Sequence, residues 1–230
     1  MLAVDKVIER AKKLAAELLE ASVTDIELRD GRFHIAGTDR SVDVASVGRA
    51  SFDPNFVPPG EEGGLTESGE FAATAVTFPN GTHICEVEID PDTGVTEIMR
   101  YSAVEELGKV LNPMIVSGQI HGGVVQGIGQ AMGEVILHDP DSGQMVTASF
   151  MDYQMPRADE LPDFRLATRE VPTKVNPIGA KGVGEAGTVG AMAAVMNAVN
   201  DALAPLGIRH FDMPATPGRV WEAISAARSK

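Results

Sequence analysis

Residues 179–190 read Gly179-Ala-Lys-Gly-Val-Gly-Glu-Ala-Gly-Thr-Val-Gly190. One carboxylate, Glu185, stands in a glycine-dense loop that runs straight into an Ala/Val/Met-rich pattern of helical spacing, from about Ala186 to Leu203. Glycines let a backbone approach a bulky anionic ligand, and a helix start adds a positive dipole end. Glu185 is therefore either a working acid–base group or an ordinary helix-start charge. Gly182, Gly184 and Gly187 also satisfy G-x-G-x-x-G, the dinucleotide fingerprint, but that motif needs an apolar strand before it and a βαβ unit after it. Here the preceding residues, Pro172-Thr-Lys-Val-Asn-Pro-Ile-Gly179, are a loop broken by two prolines. No convincing strand lies among the residues after Gly187. The stretch thus argues against a dinucleotide-binding βαβ unit, and because the expected helices and strands do not alternate regularly along the chain, an α+β fold is favoured over a doubly wound sheet.

The rest of the chain agrees. Val4, Val7, Ile8, Ala11, Leu14, Ala15, Leu18 and Leu19 recur at helical spacing, predicting an amphipathic helix over residues 2–21. Asp30-Gly31 sits at the turn of a hairpin beginning at Ile26. Phe52–Gly69, with Pro54, Pro58, Pro59, Gly60, Gly63 and Gly64, reads as a long irregular loop inside one 230-residue domain. Strands are expected at Ala72–Thr77, His83–Ile89, Val95–Ala103, Met145–Phe150 and Phe164–Val171. The alternation in the second places Ile84, Glu86 and Glu88 on one face and Cys85, Val87 and Ile89 on the other. Val116–Val135 has helical apolar spacing but carries six glycines. Each costs a helix about 1 kcal/mol relative to alanine, so something must pack close to that backbone. A short helix near Pro217–Ala227, with Trp221 as its anchor, closes the chain.

Composition bounds the function. A net charge of −14 argues against nucleic acid and anionic membranes as partners. A single cysteine, Cys85, precludes an internal disulfide or a multi-cysteine metal site and fits a reducing, cytoplasmic setting. No signal peptide is visible, and no apolar run approaches the roughly 20 residues needed to span a bilayer. His34, His83, His138 and His210 show no metal-ligand spacing and are expected to be surface or core polar residues.

A second glycine cluster, Gly118-Gln-Ile-His-Gly-Gly-Val-Val-Gln-Gly-Ile-Gly-Gln-Ala131, contains Gln119, His121, Gln126 and Gln130. Amides donate and accept at once, which suits reading a heterocyclic or phosphate-bearing cofactor. A tightly packed glycine helix with its polar groups in solvent is the competing reading. Together Gly108-Lys-Val-Leu-Asn-Pro-Met-Ile-Val-Ser-Gly-Gln-Ile-His-Gly-Gly123, Gln126-Gly-Ile-Gly-Gln-Ala131, Ser149-Phe-Met-Asp-Tyr-Gln-Met-Pro-Arg-Ala158 and Lys181–Gly190 occur in an order that resembles the molybdenum-binding subunit of the xanthine dehydrogenase/aldehyde oxidase/carbon monoxide dehydrogenase family. Phe78-Pro-Asn-Gly-Thr-His83 and Asp212-Met-Pro-Ala-Thr-Pro217 extend the likeness over nearly the whole chain, as that subunit's last domain.

The resemblance implies a molybdenum hydroxylase. Glu185 would act as base on a molybdenum-bound hydroxyl, and oxygen would enter an electron-poor carbon. Electrons would leave through iron–sulfur clusters and FAD on partner subunits. Gln119, His121, Gly122, Gly123 and the backbone of Lys181, Gly182, Val183 and Gly184 would line the pocket of a molybdopterin, in a dinucleotide form. The metal would be held through the pterin dithiolene, with no direct protein ligand. The family's subunit is several times longer, so a companion chain carrying the rest of it is expected; a small molecule is the substrate. The alternatives are a truncated, non-catalytic remnant of such a subunit and a dinucleotide-binding protein using Gly182, Gly184 and Gly187.

Overall fold

Helical periodicity at the start of the chain and around Glu185 becomes helix in the computed structural model, which describes residues 1–57 and 62–229. Pro58, Pro59 and Gly60 of the expected loop lie outside the described residues. The chain divides into two compact units, the first ending at Ala73 and the second beginning at Thr74.

In the first unit, α1 (Leu2–Leu19) buries Ala11, Leu14, Ala15 and Leu19 in a core shared with Ile26, Phe33 and Val47. The hairpin β1 (Ile26–Arg29) and β2 (Arg32–Ile35) turns at Asp30 and Gly31, both at positive φ. Asp-Gly is suited to such a turn, because its twist matches that of the strands it joins. β3 (Ser41–Asp43) adds antiparallel to β2, and α2 (Val44–Ala50) follows at once, its start capped where Asp43 Oδ1 accepts from the Ser46 N–H at 2.7 Å. Neither β3 nor α2 is foreseen from the sequence.

In the second unit, β4 (Asn80–Ile89) and β5 (Thr96–Glu106) pair antiparallel, and β6 (Phe164–Thr168) joins β5 in parallel. Helices α3 (Pro113–Met132), α4 (Ala186–Leu203) and α5 (Pro217–Arg228) complete the unit. Its core joins Ile98, Tyr101 and Ala103 of the sheet to Ile120, Val124 and Ile128 of α3, Val195 and Val199 of α4, and Val220 of α5. The mixed sheet with separate helices is α+β, as expected, and no strand follows Gly187 among the described residues. The alternation in β4 holds: Cys85, Val87 and Ile89 face this core while Ile84, Glu86 and Glu88 are exposed. Burial pushes the Cys85 thiol up to about 12, which leaves it an unreactive core group at neutral pH.

Three expectations are corrected. Ala72–Thr77 forms no strand, since it pairs with nothing among the described residues and leaves Val76 exposed. Met145–Phe150 is irregular: Met145 makes one isolated bridge to His138, and Thr147 spends its hydroxyl on the Leu137 N–H. The third concerns apolar length. Ala186–Leu206, α4 with the turn after it, is long and apolar enough to cross a membrane by length and composition. In this fold its stripe of Ala191, Val195, Val199 and Leu203 is buried in the core, and a core helix passes the same test.

The glycines of α3 divide by what they meet. A Cβ on Gly123 would stand 3.1 Å from the Gly187 Cα, and one on Gly127 would stand 2.6 Å from the Ala191 Cβ. Reciprocally, a Cβ on Gly187 would meet the Ile120 carbonyl oxygen at 2.6 Å. These glycines let α3 and α4 touch backbone to backbone, and Thr188 Oγ1 seals the contact by donating to the Gly123 carbonyl at 2.9 Å.

Candidate active site

The site starts at the end of β5. Successive residues of a strand point to opposite faces, so Glu105 and Glu106 diverge. Glu106 turns toward the glycine loop. Its Oε1 accepts from the Gly108 N–H at 2.7 Å, and its Oε2 accepts from Asn80 Nδ2 at 2.9 Å and pairs with the Lys181 ammonium. The backbone reinforces the join: the Lys181 N–H donates to the Leu107 carbonyl at 2.9 Å and the Lys109 N–H to the Gly179 carbonyl at 2.8 Å. Gly108, at φ +69°, lies so close to Gly179 that a Cβ would stand 2.3 Å from its carbonyl oxygen. Asn176 folds the loop from within, accepting from the Gly179 N–H and donating to the Ala180 carbonyl, both at 2.8 Å.

The Lys181 ammonium holds the Glu106 carboxyl below the ordinary glutamate value of 4.5, helped by the Gly108 N–H. A depressed carboxyl stabilises the fold at pH above its unfolded pKa and loses that contribution as pH falls through the folded value. Thermal melts between pH 3 and 7 should therefore show an acid-dependent loss that shrinks in Glu106→Gln, where no carboxylate remains to protonate. An identical acid limb in the variant would contradict the role given to this pair.

Anchored in this way, the loop delivers Glu185 to the N-cap of α4, where its side chain is exposed and makes no capping hydrogen bond. It lines a cleft of about 530 Å³ together with Phe78, Asn80, Gly81, Gly182, Gly184 and Val189, and the cleft reaches His83 and Glu105. That pair is buried. His83 Nε2 meets Glu105 Oε1 at 2.6 Å, and His83 Nδ1 meets the Tyr101 hydroxyl at 2.6 Å. The carboxylate accepts, so Nε2 carries the proton and Nδ1 takes the Tyr101 O–H. Desolvation raises the Tyr101 pKa, so the phenol keeps its proton.

The sequence-predicted residues divide between the site's surface and its support. Gln119, His121 and Gly122 are exposed on α3, next to Ile120 and Gly123, which meet Gly187 two residues past Glu185. His121 Nδ1 donates to the Ser117 carbonyl at 2.7 Å, leaving Nε2 as an acceptor, and its ring stacks on Phe164. Gly182 and Gly184 are also exposed. Gly123 is buried against α4, Val183 packs on the core, and Lys181 spends its N–H and its ammonium inside the chain. Sequence reasoning missed the Tyr101–His83–Glu105 cluster. Its signal was present in the period-two alternation, which puts His83 on the apolar face of β4 with Cys85, Val87 and Ile89.

Whether a large group fits is answered by the glycines. A Cβ added at Gly118, Gly122, Gly182 or Gly184 would meet nothing within 4 Å, and none of the four has a positive φ. The first two sit inside α3, where each costs about 1 kcal/mol relative to alanine. Neither packing within the chain nor backbone conformation accounts for them. Gly48 in α2 and Gly218 in α5 are open in the same way. What sets these four apart is their place in the loop before Glu185 and on the α3 turns that carry Gln119 and His121, where a backbone free of Cβ atoms leaves room for an external group. Among the described residues no group of three His, Cys, Asp or Glu side chains is arranged to hold a metal ion.

Comparison with known proteins gives the same direction. Residues 1–162 match the family described as the molybdopterin cofactor-binding domain. The chain is 39% identical to 6-hydroxypseudooxynicotine dehydrogenase complex subunit gamma of Paenarthrobacter nicotinovorans, over 94% of this chain and 27% of that one. It is 37% identical to the carbon monoxide dehydrogenase large chain of Afipia carboxidovorans, over 96% of this chain and 27% of that one. The crystal structure of quinoline 2-oxidoreductase from Pseudomonas putida 86 superposes with a TM-score of 0.83 at 41% identity, over 95% of this chain and 28% of that one. The chain thus spans about a quarter of the length of the curated relatives it matches.

Proposed function

The chain belongs to the molybdopterin-binding domains of the molybdenum hydroxylase family, and from that premise we propose that it forms one wall of a molybdopterin pocket in an oxidoreductase that hydroxylates an electron-poor carbon with oxygen from water. Glu185 is its general base. The observation that carries this reading is the set of four glycines, Gly118, Gly122, Gly182 and Gly184, whose missing side chains serve nothing inside the chain.

Bound against them, a molybdenum cofactor would supply the two-electron redox chemistry of the reaction. The chain's own residues do the rest. Gln119 presents an amide able to donate and accept, and His121 presents Nε2 as an acceptor. Gly182 and Gly184 let the loop backbone come close. The Glu185 carboxylate, exposed into the cleft, takes up the proton that must leave as oxygen is activated. Gly123, Val183 and Lys181 support this surface from behind. The rest of the molybdenum subunit, with iron–sulfur and FAD subunits to receive electrons, completes the enzyme. The single, partly buried Cys85 suits a cytoplasmic home.

The test is to isolate the protein with its native companions and measure molybdenum and pterin. Stoichiometric amounts of both are expected. Well-folded, fully assembled protein that contains neither would overturn the proposal and leave a non-catalytic remnant as the better description.

A further inference from the structure

We propose that His83, held between Tyr101 and Glu105, is a positioning residue for Glu185, forming with the Lys181–Glu106 pair a two-sided clamp on the loop and first turn that carry the base. The inference rests on the reading of Glu185 given above. Three observations converge on it. First, the His83 ring lies directly under α4: a Cβ on Gly190 would stand 2.6 Å from its Cδ2, Cε1 and Nε2 atoms. Gly190 is five residues past Glu185 and Lys181 four before it, so the base is held from both sides by the last two residues of β5, Glu105 acting through His83 and Glu106 through Lys181.

Second, the chain makes room for the pair twice. Gly190 admits the ring from α4, and on β4 a Cβ at Gly81 would stand 2.4 Å from Glu105 Oε2. Two glycines on different elements are thus fitted around one His–Glu contact. Third, stability alone does not call for the pair. The His83 and Glu105 side chains are only 5% and 3% exposed, and taking a carboxylate and a polar ring out of water costs free energy that well-packed apolar residues would not, so such residues often serve a core as well or better. What the pair provides instead is direction. Two hydrogen bonds of 2.6 Å at opposite ends of one ring fix its plane, and that plane sets how far α4's first turn stands off the sheet. The edge-on contact with Tyr101 and the Tyr101–Phe164–His121 ring sequence extend this support to the α3 face where His121 is exposed.

The experiment compares His83→Ala, His83→Gln and Glu185→Gln in the protein isolated with its native companions. Amide hydrogen exchange of residues 186–190 and steady-state kinetics are the readouts. In His83→Ala those amides should exchange at least about tenfold faster while amides of α1 are unchanged. In the same protein kcat should fall by about tenfold or more with KM little altered. Glutamine keeps an N–H for Glu105 at similar reach, so His83→Gln should recover most of both. Unchanged exchange and kcat in folded His83→Ala, or a glutamine variant as impaired as the alanine one, overturns the proposal. If His83→Ala does not fold, Tyr101→Phe decides in its place: it removes only the hydroxyl that orients the ring, and faster exchange confined to 186–190 supports the clamp while its absence overturns it. Full turnover in Glu185→Gln would instead remove the base assignment, a separate failure that leaves the exchange result standing.

Discussion

Glu185→Gln is expected to lower turnover by about 10²–10⁴-fold, the range a positioned general base contributes, while molybdenum and pterin content stay at the level of the parent protein. The separation of the two readouts follows from where the residue sits. Glu185 is exposed, makes no capping hydrogen bond to α4 and forms no ion pair among the described residues. A surface substitution of this kind changes stability by no more than about 0.5 kcal/mol. Glutamine has the same shape and leaves the loop anchored through Glu106, Lys181 and Asn176. What it lacks is a lone pair basic enough to take a proton at neutral pH. The loss should fall on kcat more than on KM, because the binding surfaces proposed for Gln119, Gly182 and Gly184 are untouched. Cofactor loss in the same variant would show that Glu185 works by holding the ligand. Near-normal turnover with cofactor bound would end its assignment as the base.

How much of this could be read from the residues differs by element. α4 was legible from Ala186 to Leu203 because apolar spacing over 18 residues, a glycine loop before it and Pro205-Leu-Gly207 after it all agree. The Asp30-Gly31 hairpin was legible because that turn type accepts few other dipeptides. β3, with three residues, was too short to show a period, and the Asp43 cap of α2 is a signal that also marks ordinary turns. Ala72–Thr77 has strand-like composition, but a strand exists only where a partner offers its hydrogen bonds, and composition does not carry the partner. The same limit governs the site. Glu185 and the glycines around it stand out in one dimension as a local pattern, and the role expected of them came from the family resemblance. Tyr101–His83–Glu105 could not: β4 and β5 meet only by pairing, and Gly190 arrives under His83 from more than a hundred residues away.

The glycines give the largest stability contrast. Gly187→Val is expected to destabilise the second unit by about 3 kcal/mol or more, at or beyond the upper end of what overpacking usually costs. A Cβ there would lie 2.6 Å from the Ile120 carbonyl oxygen, 2.8 Å from the Val124 nitrogen and 3.0 Å from the Gly123 carbonyl carbon. All three are backbone atoms of α3, so no side chain can swing aside and the helices must part. Parting them also breaks the Thr188 hydrogen bond to Gly123 and opens the layer formed by Gly127 and Ala191. The gain in helix propensity on replacing glycine by β-branched valine, roughly 0.5 kcal/mol, is far smaller than this and opposite in sign. Gly122→Ala supplies the opposite case. Its Cβ would meet nothing within 4 Å, so the propensity term stands alone and the protein should become more stable by up to about 1 kcal/mol. If the open glycines make room for the cofactor, that stabilised protein should nevertheless retain less pterin. Trp221, the one tryptophan, lies on α5 in the second unit and gives a local fluorescence signal for chemical denaturation of both variants. A Gly187→Val protein unfolding at the parent midpoint would show that α3 and α4 can separate without loss. A Gly122→Ala protein with full pterin would show that α3's open face is not where the cofactor rests.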